Sequence, residues 1–272
     1  MFSSKTNKPL ARKELRKDGW GAAEAFFVLS TGRCGTRTLA SILDLGSNAF
    51  VQHEPVPRMN NQCREVYEQW ENNPEFYKTL IETCREDFIY EAYEEGRIYG
   101  ETANRLTNFA PAINAVFTNS KFIHLVRDPR DVVRSGMDRG WYAGHKWDEG
   151  RIVPRPGDPY YDRWAEMTLF EKCSWLWFET NRFAQEFVKS LPPDRTFTLK
   201  SEGLFDGEFD GLKQIFDFVG VEIPRSRLIQ KILKRKENYQ RRRSFPAKEQ
   251  WTDEQNAALR AVAGPLMEVF GY

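Results

Sequence analysis

Two arginines flank a glycine turn in Ser30-Thr31-Gly32-Arg33-Cys34-Gly35-Thr36-Arg37-Thr38. A guanidinium is always charged and presents a planar fork of donors, which suits the oxygens of phosphate or sulfate. Gly32 and Gly35 let the backbone turn sharply and approach a ligand closely. A second such place lies about 90 residues on, where Arg127 precedes Asp128-Pro129 and Ser135 follows eight residues later. An arginine and a hydroxyl at that spacing can meet one further phosphate. Together the two segments describe a site for a ligand with two separate anionic groups.

The elements that must hold these residues can be read beside them. Phe26 to Leu29 is a short apolar run of the kind found in buried parallel strands. Thr36 is expected to cap the helix that follows and Gly46 to end it. The first N–H groups of that helix have no internal partner and carry partial positive charge, so the turn suits an anion. Lys121 to Val126 reads as another buried strand. Asp128 is a good N-cap, Pro129 suits the first helical position and Asp131 favours the first turn. Arg127 then ends the strand, and Ser135 lies about two turns into the helix, on the face of Asp128 and Asp131. A Walker A loop, G-x-x-x-x-G-K-[ST], would carry a lysine after its second glycine, and this turn does not.

In order, the two segments resemble the nucleotide-dependent sulfotransferases. S-T-G-R-C-G-T-R-T is similar to that family's 5′-phosphosulfate loop, and K-F-I-H-L-V-R-D-P-R-D-V-V-R-S to its 3′-phosphate motif. The likeness is strong from about Ala25 to Ser135 and continues weakly through Lys200-Ser201-Glu202-Gly203-Leu204 to the closing Gly271-Tyr272. It implies a P-loop-like α/β fold with a mainly parallel central sheet flanked by helices. The implied donor is 3′-phosphoadenosine 5′-phosphosulfate (PAPS), the released product 3′-phosphoadenosine 5′-phosphate (PAP), and no metal is required. Donor contacts are assigned to Gly32, Arg33, Cys34, Gly35, Thr36, Arg37 and Thr38 at the 5′ end. Arg127 and Ser135 are assigned to the 3′-phosphate. The family often brings a late basic loop over that phosphate, so Arg242, in Arg241-Arg242-Arg243, is assigned there too, against the plainer reading of a surface charge run.

Catalysis needs a base for the acceptor hydroxyl. Glu54 follows the second strand in Phe50-Val51-Gln52-His53-Glu54-Pro55, at the place where the tyrosylprotein branch has its glutamate. Strand alternation is expected to turn His53 and Glu54 opposite ways, leaving one facing the site. The cytosolic branch has a histidine near the position of Asn104, which cannot serve as a base. The chain therefore looks closer to the carbohydrate and tyrosylprotein branch, with Glu101 as a second candidate base. His124 reads as a core histidine, His145 as a residue able to touch acceptor, and the helix around Trp175 and Trp177 as core.

With 272 residues, 40% hydrophobic and 14% aromatic, the chain can bury a sizeable α/β core. A net charge of +1 gives no global support to a nucleic-acid or membrane partner. No apolar run is long enough to span a bilayer, and residues 1–19 lack the apolar centre of a signal peptide, so a cytoplasmic protein is expected. Its four cysteines have no metal-ligand spacing and are expected to stay reduced. Residues 1–20 are expected to form a mobile arm and 21–272 one domain. Strands are expected at about 25–30, 48–52, 97–100, 121–126 and 195–199, with helices at 62–71, 75–95, 164–190, 208–219 and 252–269. The segment 136–163, with five glycines, three prolines and many aromatics, is expected on the acceptor side. The acceptor remains open among sugars, phenols and tyrosines. A P-loop kinase and a non-catalytic nucleotide-binding protein are the alternative readings, and Glu54 separates catalysis from mere binding.

Overall fold

The computed structural model describes residues 10–204, 209–234 and 244–272. Five strands, β1 (Ala25–Leu29), β2 (Ala49–Gln52), β3 (Ile98–Glu101), β4 (Ser120–Val126) and β5 (Thr196–Lys200), form one sheet in the order β2-β3-β1-β4-β5. Every pairing is parallel. Helices α1 (Arg12–Lys17), α2 (Thr36–Leu43), α3 (Gln62–Gln69), α4 (Pro74–Glu94) and α5 (Ala110–Val116) occupy the first half. Helices α6 (Pro129–Asp138), α7 (Leu169–Lys189), α8 (Asp210–Val219), α9 (Ser226–Leu233) and α10 (Asp253–Phe270) follow. All five expected strands are present within a residue or two of their expected bounds.

Strand β1 is buried along its whole length because both of its faces are covered. Phe27 and Leu29 face a cluster that takes in Ile81 and Ile89 of α4 and Ile113 of α5. Phe26 and Val28 face Leu39 and Ile42 of α2, Phe216 of α8 and Ile229 of α9. Each such large apolar side chain contributes roughly 1.5–3 kcal/mol by leaving water. Phe26 lies over Gly100 of β3, where an added Cβ would come within 2.2 Å of its ring, so the close ring-to-backbone contact requires glycine. A third cluster joins α6, α7 and α10 around Trp175, Trp177 and Met267, which confirms the α7 tryptophans as core. His124 is a core histidine as well. It bonds Asn181 at 3.0 Å, and burial lowers its pKa to about 4.

The sheet order reverses direction at β1, which has β3 on one side and β4 on the other. Such a switch point opens a crevice beyond the carboxyl ends of the strands. The expected arm is corrected for its described part: Leu15 of α1 and Trp20 are fully buried, and Trp20 donates to Glu82 of α4 at 3.0 Å. Two apolar side chains anchor a segment that is otherwise polar. No described helix is long and apolar enough to cross a membrane.

Candidate active site at the carboxyl edge of the sheet

A cavity of about 680 Å³ opens beyond β1, β2 and β4. The turn from β1 into α2 forms its floor. Ser30 is fixed by Thr107, which exchanges 3.0 Å bonds with its N–H and carbonyl, and Gly32 N–H donates back to Ser30 Oγ at 3.1 Å. Gly32 and Gly35 adopt φ of 78° and 80°, and Arg33 takes φ of 62°. This left-handed run points successive N–H groups the same way, which makes an anion-binding concavity. Among the described residues, the N–H groups of Arg33 through Thr38 donate to no protein acceptor. Gly35, not Thr36, is the residue before the first helical position, and the helix closes at Asp44 rather than Gly46. The left-handed conformation at 35 displaces the expected threonine cap by one position and leaves the helix start uncapped.

Gly32, Arg33, Gly35, Thr36, Arg37 and Thr38 all line the cavity. Cys34 does not. Its side chain is buried beneath the turn, its Sγ lies 3.3 Å from the Gly32 carbonyl, and burial pushes its thiol up to about 11. The expected Cys34 contact is therefore limited to its backbone.

At the neighbouring strand end, Arg127 and Ser135 also line the cavity, as expected. Asp128 caps α6 by accepting from Arg130 N–H at 2.9 Å, and Trp177 Nε1 donates to the Arg127 carbonyl at 2.8 Å. Arg127 donates to the Arg33 carbonyl and lies 3.6 Å from Asp131. Ser135 accepts from Arg33 Nε at 3.0 Å. So Arg33, expected at one anion only, spans the space between the two anion-binding places. Burial, then the charges of Arg139 and Arg127, lower the Arg33 pKa to about 10. Arg242 lies outside the described residues. Ser244, shortly after it in sequence, donates its N–H at 2.8 Å to Asp138, a residue of the cavity wall.

Glu54 and His53 both line the cavity, which corrects the expectation that only one would. Strand β2 stops at Gln52 and Glu54 has φ of 50°, so alternation does not reach it. His53 Nδ1 lies 2.8 Å from the Thr102 carbonyl and 2.9 Å from the Thr102 hydroxyl. Its Nε2 is 3.9 Å from Glu54 Oε1. Glu101 is corrected as a candidate base. Both its oxygens accept from Arg85, at 2.6 and 2.9 Å, the Tyr99 hydroxyl donates at 2.9 Å, and the whole group is sealed from solvent. Removing one partner of such a pair costs roughly 3–5 kcal/mol. A change at Glu101 thus reports on folding.

The far wall is the segment after α6. Trp141, His145, Trp147, Asp148 and Arg151 line the cavity. Arg151 stacks 4.4 Å over Trp141 and pairs with Asp148 at 2.6 Å. Arg105 donates to the carbonyls of Trp147 and Gly150, and its neighbour Asn104 packs against Gly32. Sequence reasoning missed Arg58, Arg105, Arg134, Arg139 and Arg151. The only signal was the number of arginines near the two motifs. The lining holds eight arginines and four carboxylates. Among the described residues no cluster of His, Cys, Asp or Glu could hold a metal ion.

The fold of this chain is similar to that of solved sulfotransferase structures. One is the sulfotransferase domain of the Synechococcus PCC 7002 olefin synthase, at TM-score 0.54 and 17% identity over 92% of this chain and 94% of that one. Another is a sulfotransferase from Mycobacterium avium, at TM-score 0.51 and 12% identity over 94% and 79%. The sulfotransferase domain of the curacin biosynthetic pathway matches at TM-score 0.50 and 20% identity over 75% and 76%. At these identities the likeness establishes the fold, which is the P-loop-like fold of sulfotransferases. No curated protein matches the chain in sequence. The sulfotransferase-domain family profile, however, matches residues 23–261, from the residues just before β1 well into α10, and by that match the chain belongs to the sulfotransferase family.

Proposed function

We propose that the chain moves a sulfo group from PAPS to a hydroxyl acceptor, working as a single cytoplasmic domain over 21–272 with neither nucleic acid nor membrane as partner. The observation that carries this reading is the junction of Arg33, Ser135 and Arg127 beside the unbonded N–H groups of the β1–α2 turn. The residues fit a ligand with two anionic groups, one at the turn and one at the start of α6. Arg127 and Ser135 hold the 3′-phosphate, and Arg242 is assigned to the same group. The turn amides, Arg37 and Arg33 hold the 5′ end. Arg33 meets charge that grows on the bridging oxygen in the transition state. Glu54 takes the acceptor proton. PAPS supplies an activated sulfo group, whose S–O bond to the 5′-phosphate breaks as the acceptor oxygen bonds to sulfur. Holding the partners in line and stabilising charge account for most of the rate. Glu54 at the cavity, with Asn104 where the cytosolic branch has histidine, favours the carbohydrate and tyrosylprotein side of the family.

Calorimetry and mass spectrometry test the reading. PAP should bind more tightly than AMP, ADP or ATP by roughly 10–150-fold, the worth of a charge-assisted contact of about 1.5–3 kcal/mol. An acceptor incubated with PAPS should gain one sulfo group. Equal binding of ATP and PAP overturns the reading in favour of a kinase. Glu54→Gln keeps shape without basicity, so PAP binding should persist while turnover falls by roughly 10²–10⁴. Loss of turnover in His53→Ala with retention in Glu54→Gln would move the base to His53.

A further inference from the structure

The cavity carries more positive charge than the donor assignments use. Arg33, Arg37 and Arg127 answer to the nucleotide. On the acceptor side, Arg58 lies beside the candidate base and bonds the Glu54 carbonyl at 3.4 Å. Arg105 lines the same cavity and spends its donors on the neutral carbonyls of Trp147 and Gly150. Arg151 is next to Arg105, with the carboxylate of Asp148 shared at 2.6 Å. Among the described residues no carboxylate pairs with Arg58 or Arg105. Burial and the charge of Arg105 together hold the Arg151 pKa down, so these two guanidiniums repel each other across the cavity wall. Arg105 and Arg151 are half-buried, where charges are ordinarily paired, whereas Arg58 is exposed. A concave wall that gathers three guanidiniums and, among the described residues, pairs only Arg151 with a carboxylate suits an anion.

We propose that the acceptor is itself an anion: a hydroxyl compound bearing a second oxyanion, carboxylate or ester sulfate, that Arg58, Arg105 and Arg151 receive while the hydroxyl faces Glu54. This rests on the sulfo-transfer reading and names its substrate class. The indole of Trp147, half exposed at the rim, offers a ring face to the body of the same molecule. The donor site and the acceptor site are then two anion sites within one cavity. Occupying both leaves the acceptor hydroxyl between Glu54 and the 5′ end of the nucleotide.

The test measures binding to the PAP-loaded protein by calorimetry. One series is 4-hydroxyphenylacetate, 4-hydroxyphenyl sulfate and the neutral 4-hydroxyphenylacetamide. The other is methyl glucuronide, methyl glucoside 6-sulfate and methyl glucoside. In at least one series an anionic member should bind tenfold or more tightly than its neutral partner, and the carboxylate and sulfate arms tell the two oxyanions apart. That ratio should shrink in 0.5 M salt and fall toward one in Arg58→Gln and Arg151→Gln. Equal binding of anionic and neutral members in both series, or a ratio untouched by both substitutions, overturns the inference while PAP binding leaves sulfo transfer standing. Failure of PAP to bind at all overturns the sulfo-transfer reading, and this inference with it.

Discussion

Two helices begin side by side at the carboxyl edge of the sheet, and their starts are built in opposite ways. Helix α6 is sealed. Asp128 accepts from Arg130 N–H, its own N–H donates to Glu202 at 2.7 Å, and Pro129 brings no donor. Helix α2 is open. It follows a left-handed glycine, has no side-chain cap, and leaves the N–H groups of six successive residues without an acceptor among the described residues. The two places therefore meet an anion differently. At α2 the backbone and the helix dipole would do the binding, with arginines added. At α6 the dipole is already answered by Asp128, so an anion there depends on the side chains of Arg127 and Ser135. An identical fold position thus gives a backbone site or a side-chain site according to one capping residue.

Arg33 is where the two sites touch, so its removal should have the largest effect. Arg33→Ala should lower turnover by on the order of 10²–10³ in a steady-state sulfo-transfer assay, while Arg33→Lys keeps part of the rate through its charge. Near-normal turnover would show that the two sites work independently. Next comes the side-chain site itself. Arg127→Ala should weaken PAP by roughly 10–150-fold in calorimetry and weaken AMP far less, since AMP lacks the 3′-phosphate.

The backbone site is probed by Gly35→Ala. Forcing an L-residue to φ near 80° costs roughly 1–2 kcal/mol, so PAP and AMP should both weaken, by up to about 30-fold. The smallest effect concerns the sealed start. Asp128→Ala removes a cap worth about 1 kcal/mol, to be read as a small fall in thermal midpoint. Burial alone would raise the Asp128 pKa, but hydrogen bonds from Arg130 and Lys248 outweigh it and hold the carboxyl below its usual range. The stability it contributes is therefore present above about pH 4 and is lost as pH falls through the lower folded value, and the mutant should lack that acid-side step.

The strands and the two anion motifs were legible because their signals are local: short apolar runs, glycines at a turn, an aspartate–proline helix start. What was not legible depends on partners distant in the chain. Glu101 looked like a base because nothing near it announces Arg85, which arrives from α4 to neutralise it. The face of Glu54 was misjudged because alternation holds only while β continues, and the backbone turns left-handed two residues past its end. Cys34 sits among ligand-facing neighbours, yet the twist that aims their N–H groups outward turns its thiol inward. Helix α1 was missed because Leu15 and Trp20 are isolated apolar residues with no visible period.

Arg105 holds the segment after α6 by the carbonyls of Trp147 and Gly150, groups that every residue possesses. An anchor of that kind is indifferent to side chains. Exchanging Trp147 or its neighbours would change the chemistry of the wall without removing this anchor. Gly150 is the exception, since an added Cβ would lie 1.8 Å from the Asn60 carbonyl. The segment is thus a surface whose side chains can change one at a time while its course stays pinned at one glycine and one distant arginine.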